Sequence, residues 1–202
     1  MNYLAIDASG KNLTIIICKD GITHSYYDEE CGVNHSVKLM PKIEELANKI
    51  NFDFSKADFF CAVVGAGSFT GIRIGISTIK AMCFAFNKPC LSITSFDTLA
   101  YNEKKGKILS LIDAKHNAFY ACGYQDGAVV IEPCYIDKDK VKELLKEYCA
   151  VSSTKLDDID AKQVDICQGL INAIKHKKDK TSWDLESLEP LYVRKSQAEE
   201  GR

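Results

Sequence analysis

Residues 59–86, FFCAVVGAGSFTGIRIGISTIKAMCFAF, decide the fold. The opening run is apolar, aromatic and β-branched and stops at Gly65, which predicts a buried strand. Beyond the turn, Ile72, Ile76, Ile79, Cys83 and Phe86 fall on one stripe of a helix that starts near Ser68 or Thr70. Strand, glycine turn and helix together are phosphate-loop geometry, and spacing sorts the alternatives. A Walker loop needs a lysine after its last glycine, whereas Gly71 is followed by Ile72 and Arg73. The dinucleotide fingerprint G-x-G-x-x-G is matched only weakly, because Gly65, Gly67 and Gly71 leave one residue too many between the second and third glycines. The plainer reading is a tight turn, with Gly71 and Gly75 placed for close helix packing. Opposite the bulky stripe lie Ile74, Thr78, Ala81 and Ala85, so the polar wedge is only Arg73, Ser77 and Lys80. A helix apolar on two sides is covered on two sides, by its own domain or by another chain.

The chain's 202 residues suit one large domain or two small halves. With 26 basic and 28 acidic residues it has no electrostatic footprint for nucleic acid, so direct gripping of tRNA or DNA is disfavoured. The one basic cluster, 175–180, includes His176 and Asp179 and reads as the solvated end of a helix. Nine cysteines sit singly in apolar stretches, which describes buried reduced thiols rather than a disulfide framework. There is no C-x-x-C pair, and His24, His35, His116 and His176 lack metal-ligand spacing, so no metal site is expected. MNYLAIDASG begins a strand at once and no apolar run reaches spanning length, which points to a reducing cytoplasm and no membrane.

Along the chain, strands are expected at 3–6, 13–18 and 22–27, with a hairpin turn at Lys19-Asp20-Gly21. Leu39, Met40, Ile43, Leu46, Ala47 and Ile50 then recur at helical spacing, capped by Asn34 or Ser36. Pro41 in that frame predicts a kink, or a start nearer Leu39. After the central strand and helix come a strand at 90–93 and a short helix from Ser95, giving the order βββαβαβα. The polar stretch NEKKGK, 102–107, divides the chain into halves 1–101 and 108–202. The pattern then restarts. Ile6-Asp7-Ala8 recurs as Ile112-Asp113-Ala114, and Asp20-Gly21 recurs as Asp126-Gly127 at the same separation, which indicates an internal duplication. The second copy continues with strands at 119–124 and 129–136, and a helix through Val141, Leu144, Leu145 and Tyr148. A helix over 163–175, an extended segment at 190–194 and a frayed polar tail, 195–202, complete it.

Two halves that each open on a β-meander, with an aspartate ending the first strand, resemble the actin, sugar kinase and Hsp70 superfamily. The expected fold is therefore α/β and actin-like, two duplicated halves of mixed sheet and helices, the second reduced in size. Within that class, GSFTGIRIG at 67–75 resembles the GSFTGLRIG signature of the bacterial TsaB family. Leu4-Ala5-Ile6-Asp7, the stretch from His35-Ser36 to Pro41, Ile112-Asp113-Ala114 and 190–194 are similar to that family as well. Ala66 departs from its usual proline, which loosens the turn slightly, and Lys115 from its usual arginine, which withholds a guanidinium fork.

The resemblance implies a non-catalytic subunit in the making of N6-threonylcarbamoyladenosine in tRNA. Such a subunit binds and activates the catalytic paralogue TsaD as a heterodimer on which the ATPase TsaE docks, meets tRNA only indirectly, and pairs with itself when alone. No cofactor is implied beyond weak adenine nucleotide at the partner junction. In the family the helices after His35 and after Thr70 pack against their equivalents in the partner. The expected interface is thus His35, Met40, Ile43, Ala47, Gly71, Ile72, Gly75, Ile76 and Ile79, with the stripe that faces the sheet left open. Gly75→Arg or Ile76→Asp is expected to part the subunits without unfolding either. Asp7, Ser9, Gly65, Gly67, Ser68, Thr70 and Asp113 stand as a vestigial nucleotide loop, although a carboxylate at a strand end can equally cap neighbouring amides. The H-x-x-x-H metal pair of the paralogue is broken, since Leu39 stands four residues after His35. No histidine has a nucleophile partner in sequence, so protease activity is not expected. Two alternatives remain: a small-molecule kinase or ATPase of the same fold, disfavoured because 113–117 lacks glycine, and a scaffold for another assembly.

Overall fold

Every residue of β1 (Tyr3–Asp7) is buried, as expected of a strand paired on both edges and covered on both faces. It runs antiparallel to β2 (Leu13–Lys19) and parallel to β4 (Phe59–Val63). With β3 (Ile22–Asp28) and β5 (Cys90–Ile93) at the edges, the sheet order is β3-β2-β1-β4-β5. The computed structural model describes residues 1–103 and 105–194; the polar tail expected at 195–202 lies outside them.

Two helices cover one face of this sheet. α1 (His35–Ile50) contributes Leu39, Ile43 and Ala47, and α2 (Phe69–Phe86) contributes Ile72, Ile76, Ile79 and Cys83, to a core shared with Leu4, Ile6, Leu13, Ile15 and Ile17. α1 begins at His35 and runs on through Pro41, so the later start is not adopted. Pro41 has no N–H for the carbonyl of Val37, a loss made tolerable by the exposure of Val37 to water. At 18 residues and mean hydropathy 1.3, α2 is long and apolar enough to cross a bilayer, contrary to the expectation that no run reaches that length. Its bulky stripe instead lies in this core.

The second sheet is built from β6 (Lys107–Asp113), β7 (Ala118–Gln125), β8 (Ala128–Asp137), β9 (Cys149–Ser152) and β10 (Ala161–Gln163). Its order, β8-β7-β6-β9-β10, repeats that of the first, with the same two antiparallel and two parallel pairings. The duplication read from two landmarks therefore extends to the whole sheet, and the fold is the actin-like one. Asp7 ends β1 and Asp113 ends β6. Both hairpin turns take positive φ at two successive residues, 52° and 83° at Asp20-Gly21 and 52° and 85° at Asp126-Gly127, the mark of a type I′ turn. α4 (Lys138–Leu144) packs Val141 against Leu109, Leu111, Phe119 and Ala121, and ends before Leu145 and Tyr148, which the sequence placed on it. β9 and β10 are short strands that periodicity did not reveal. Because 161–163 pair with β9, α5 (Ile166–Lys177) starts later than expected, with the Asp165 carboxylate accepting from the Gln168 amide at 3.0 Å.

The chain divides into one unit of Met1–Thr94 with Ile174–Leu191, and a second of Ser95–Ala173 with Tyr192–Arg202. The boundary expected at 102–107 thus moves to Ser95. α3 (Ser95–Ala100) belongs to the second unit, where the Phe96 carbonyl accepts from Ser110 Oγ at 2.9 Å and Asp97 accepts from Tyr124 Oη at 2.9 Å. Residues 174–191 return to the first unit. There Ser182 pairs with Cys90, and Leu191 N donates to the Val64 carbonyl at 2.7 Å.

Candidate functional site

The glycine turn after β4 wraps the turn that follows β1. Ser68 N donates to the Ser9 carbonyl at 2.6 Å, and a Cβ on Gly67 or Gly71 would collide with the backbone oxygen of Ser9 or Ala8 respectively. At Gly65, with φ +114°, a Cβ would lie 2.7 Å from the Leu191 carbonyl oxygen. Backbone against backbone within one unit accounts for all three glycines, which is the plainer of the two readings made from sequence. Ser68 caps α2, its Oγ accepting from Gly71 N at 3.2 Å. Gly75, expected with Gly71 to serve close packing, does not: its added Cβ would meet Ile6 and Ala8 side chains at an ordinary 3.7 and 3.9 Å.

Asp7 is buried at the centre of this arrangement. Its Oδ1 accepts from Ser9 N at 2.9 Å and Ser9 Oγ at 2.6 Å. Asp113 makes the same turn in the second unit, accepting from Lys115 N at 2.8 Å and Lys115 Nζ at 2.5 Å. Both carboxylates therefore cap amides two residues on, as the capping alternative foresaw. Their pKa values move in opposite directions. Burial pushes the Asp7 pKa up, against the two Ser9 hydrogen bonds and nearby His35. Asp113 feels burial too, but the Lys115 contacts outweigh it and hold its pKa below the usual value.

A carboxyl with a raised pKa in the fold binds an extra proton when folded, so its contribution to stability falls as pH rises above about 4. Asp7→Asn keeps an acceptor for both Ser9 donors and removes the buried charge. Its melting temperature is expected to exceed the wild type's at pH 7 and to match it near pH 3. Equal melting temperatures at both pH values would show that Asp7 carries no net charge penalty.

His35 opens α1 as a buried residue, its Nε2 3.0 Å from the Asn12 carbonyl. A carbonyl only accepts, so Nε2 carries the proton. The ring ties the start of α1 to the β1–β2 turn and is not on an outer face, which corrects its expected place in an interface.

The outer side of the same two helices is apolar and open. Between α1 and α2 runs a groove of about 600 Å³ lined by Ser36, Leu39, Met40, Phe69, Thr70, Arg73, Ile74, Ser77 and Thr78. Val33, Val37 and Met40, at i, i+4 and i+7, are 95%, 71% and 49% exposed, and Phe84 on α2 is 85% exposed. The Arg73 guanidinium lies 3.7 Å from the centroid of the Phe69 ring, and Thr78 Oγ1 donates to the Ile74 carbonyl at 2.8 Å.

Of the interface residues expected from sequence, only Met40 belongs to this outer face. Ile43, Ala47, Ile72, Gly75, Ile76 and Ile79 are buried beneath it, and Gly71 is spent on Ala8. The reason is that α2 is apolar on two sides and its larger side chains took the sheet. Gly75→Arg and Ile76→Asp would consequently strike the core of the unit. The outer residues that sequence reasoning missed, Val33, Val37, Phe69 and Phe84, carried a usable signal in the spacing of Val33, Val37 and Met40. Thr70, placed in the vestigial loop, lines the groove, and Asp113 stands at the equivalent turn of the other unit.

The family model for TsaD, tRNA N6-adenosine threonylcarbamoyltransferase, matches residues 27–201. The chain is 32% identical over 155 residues to the tRNA threonylcarbamoyladenosine biosynthesis protein TsaB of Bacillus subtilis (strain 168), covering 73% of this chain and 67% of the relative. It is 26% identical over 129 residues to TsaB of Escherichia coli (strain K12), covering 62% of this chain and 55% of that one. Among solved structures, an uncharacterized protein from Pseudomonas aeruginosa with similarity to peptidase YeaZ superposes with a TM-score of 0.78 at 19% identity, covering 96% of this chain and 99% of that one. YeaZ from Pseudomonas aeruginosa superposes with a TM-score of 0.73 at 19% identity, covering 95% and 99%.

Proposed function

The chain belongs to the TsaB family of tRNA threonylcarbamoyladenosine biosynthesis proteins, and from that membership we propose that it acts as a non-catalytic subunit holding the catalytic paralogue TsaD. The observation that carries this reading is the outer face of α1 and α2. Two helices whose inner stripes are already committed to one core present Val37, Met40, Phe69 and Phe84 to water, with Val33 exposed in the turn just ahead of α1, and neighbouring exposed apolar side chains of this kind are what an interaction surface offers. TsaD occupies that face as a heterodimer and is activated by it. In its absence a second copy takes the same patch, since self-pairing of one surface is the commonest closed arrangement. TsaE docks on the heterodimer, adenine nucleotide binds weakly at the junction, and the assembly works in the cytoplasm.

A non-catalytic role is supported by how the histidine nearest Asp7 is used. His35 is buried with Nε2 on a backbone carbonyl, and the position four residues on is Leu39, itself in the core. That pairing leaves His35 unsuited to activating a protease nucleophile.

The test is reconstitution with purified threonylcarbamoyl-adenylate synthase, TsaD, TsaE and unmodified tRNA, with this protein omitted and then added back. Threonylcarbamoyladenosine measured by mass spectrometry of digested tRNA is expected only with the protein present. Equal modification without it would sink the subunit reading.

A further inference from the structure

The segment after α5 carries the protein's only tryptophan, and Trp183 is 67% exposed. An indole is among the most valuable groups to bury, so one displayed in water calls for a partner. Its backbone is well anchored. Ser182 and Cys90 exchange N–H···O bonds, both 2.8 Å, on the edge of β5. On the other side Asp184 N donates to Ser182 Oγ at 3.1 Å, and the Asp184 carboxylate accepts from Glu186 N at 3.0 Å to start a 3-10 turn over Leu185–Ser187. The chain is thus pinned immediately before and after the tryptophan, and the side chain is presented at little entropic cost to binding.

Ahead of it stand Lys175, His176, Lys177, Lys178 and Lys180, with Asp179 the one acid in 175–183. The last turn of α5 explains three of these, because Lys175, His176 and Lys177 complement the negative end of the helix. Lys178 and Lys180 lie beyond the helix, are exposed, and make no ion pair among the described residues. Lys180 is three residues from Trp183, about 10 Å at full extension. Cations within reach of an exposed aromatic ring are the elements that bind unpaired nucleotides, phosphate to lysine and base to ring.

We propose that residues 175–183 form a contact surface for RNA, with Lys178 and Lys180 meeting phosphates and Trp183 stacking on an unpaired base. The inference rests on the reading of the chain as a tRNA-modification protein, and it departs from the near-neutral overall charge, which by itself disfavours direct contact. Charge balance over 202 residues does not describe a nine-residue surface. Since bases within a duplex are already stacked, the occupant is a single-stranded loop of tRNA.

As Trp183 is the only tryptophan, its fluorescence reports on the surface directly. Titrating the full chain with unmodified tRNA transcript is expected to quench it, saturating below about 100 µM at moderate salt. With two phosphates neutralised, affinity should fall about 7-fold between 50 and 200 mM salt. Anisotropy of labelled tRNA covers the variants that lack the fluorophore. Lys178→Glu with Lys180→Glu should weaken binding by about 10-fold or more, as should Trp183→Ala, while Trp183→Phe restores most of it. Absence of quenching, equal quenching by heparin, quenching by phosphatidylserine vesicles but not by tRNA, or indifference to all of these substitutions would each overturn the proposal. Quenching without any dependence of reconstituted modification on the chain would reject the subunit reading and keep this surface; the converse would reject this surface alone.

Discussion

Replacing Val37 and Met40 together by glutamate is expected to abolish capture of TsaD, weakening it by about 100-fold or more, because a carboxylate forced into a desolvated apolar contact finds no partner there. The fold should not register the change. Val37 is largely in water and Met40 about half so, and exposed substitutions usually stay within about 0.5 kcal/mol, about 2 °C in a domain of this size. The readout is co-elution with TsaD on size exclusion, alongside a thermal melt. Phe84→Glu, on α2, asks how far the contact extends along the helix. If Val37→Glu/Met40→Glu still co-elutes with TsaD in full yield, the outer face is not the interface.

A second pair of variants separates two glycines that look alike in GIRIG. Gly71→Ala is expected to cost about 2–3 kcal/mol, lowering the melting temperature by about 4–12 °C, since the new Cβ meets the Ala8 backbone oxygen and overpacking against a backbone has no cheap relief. Gly75→Ala should be neutral or stabilising by up to about 1 kcal/mol, because its Cβ has room and alanine favours the helix. Both sit in α2, so propensity is matched between them and only the contact differs. Equal melting temperatures would mean that Gly71 does not hold the β1 turn against α2.

Much of the first unit is readable from residues because its strands are unbroken apolar runs bounded by turns, and the Asp-Gly turns can adopt only a few conformations. The duplication was readable for the same reason, through Asp7 with Asp113 and Gly21 with Gly127. What was not readable has two physical sources. Periodicity shows that α2 is apolar on two sides but contains nothing that ranks them, so Ile72, Ile76 and Ile79 stand among the expected interface residues with the sheet-facing stripe left open, and it is their stripe that faces the sheet. Partners supplied by the backbone also leave no trace in composition. The Asn12 carbonyl that engages His35, the Ala8 carbonyl beneath Gly71 and the Cys90 amide that pairs Ser182 are invisible in a string of side chains. Likewise α3 seemed to close the first half, because the polar loop after it is conspicuous while the Phe96 carbonyl bonded to Ser110 is not.

The return of residues 174–191 to the first unit bears on how the chain is made. A ribosome delivers β1 to β5 and both covering helices early, yet the bonds from Ser182 to Cys90 and from Leu191 to Val64 join residues 92 and 127 positions apart in the sequence. Until that stretch emerges, the free edge of β5 has no native cover, and the intervening second unit is synthesised while it waits. The unit begun first is therefore still incomplete after residues 95–173, the main body of the second unit, have been made.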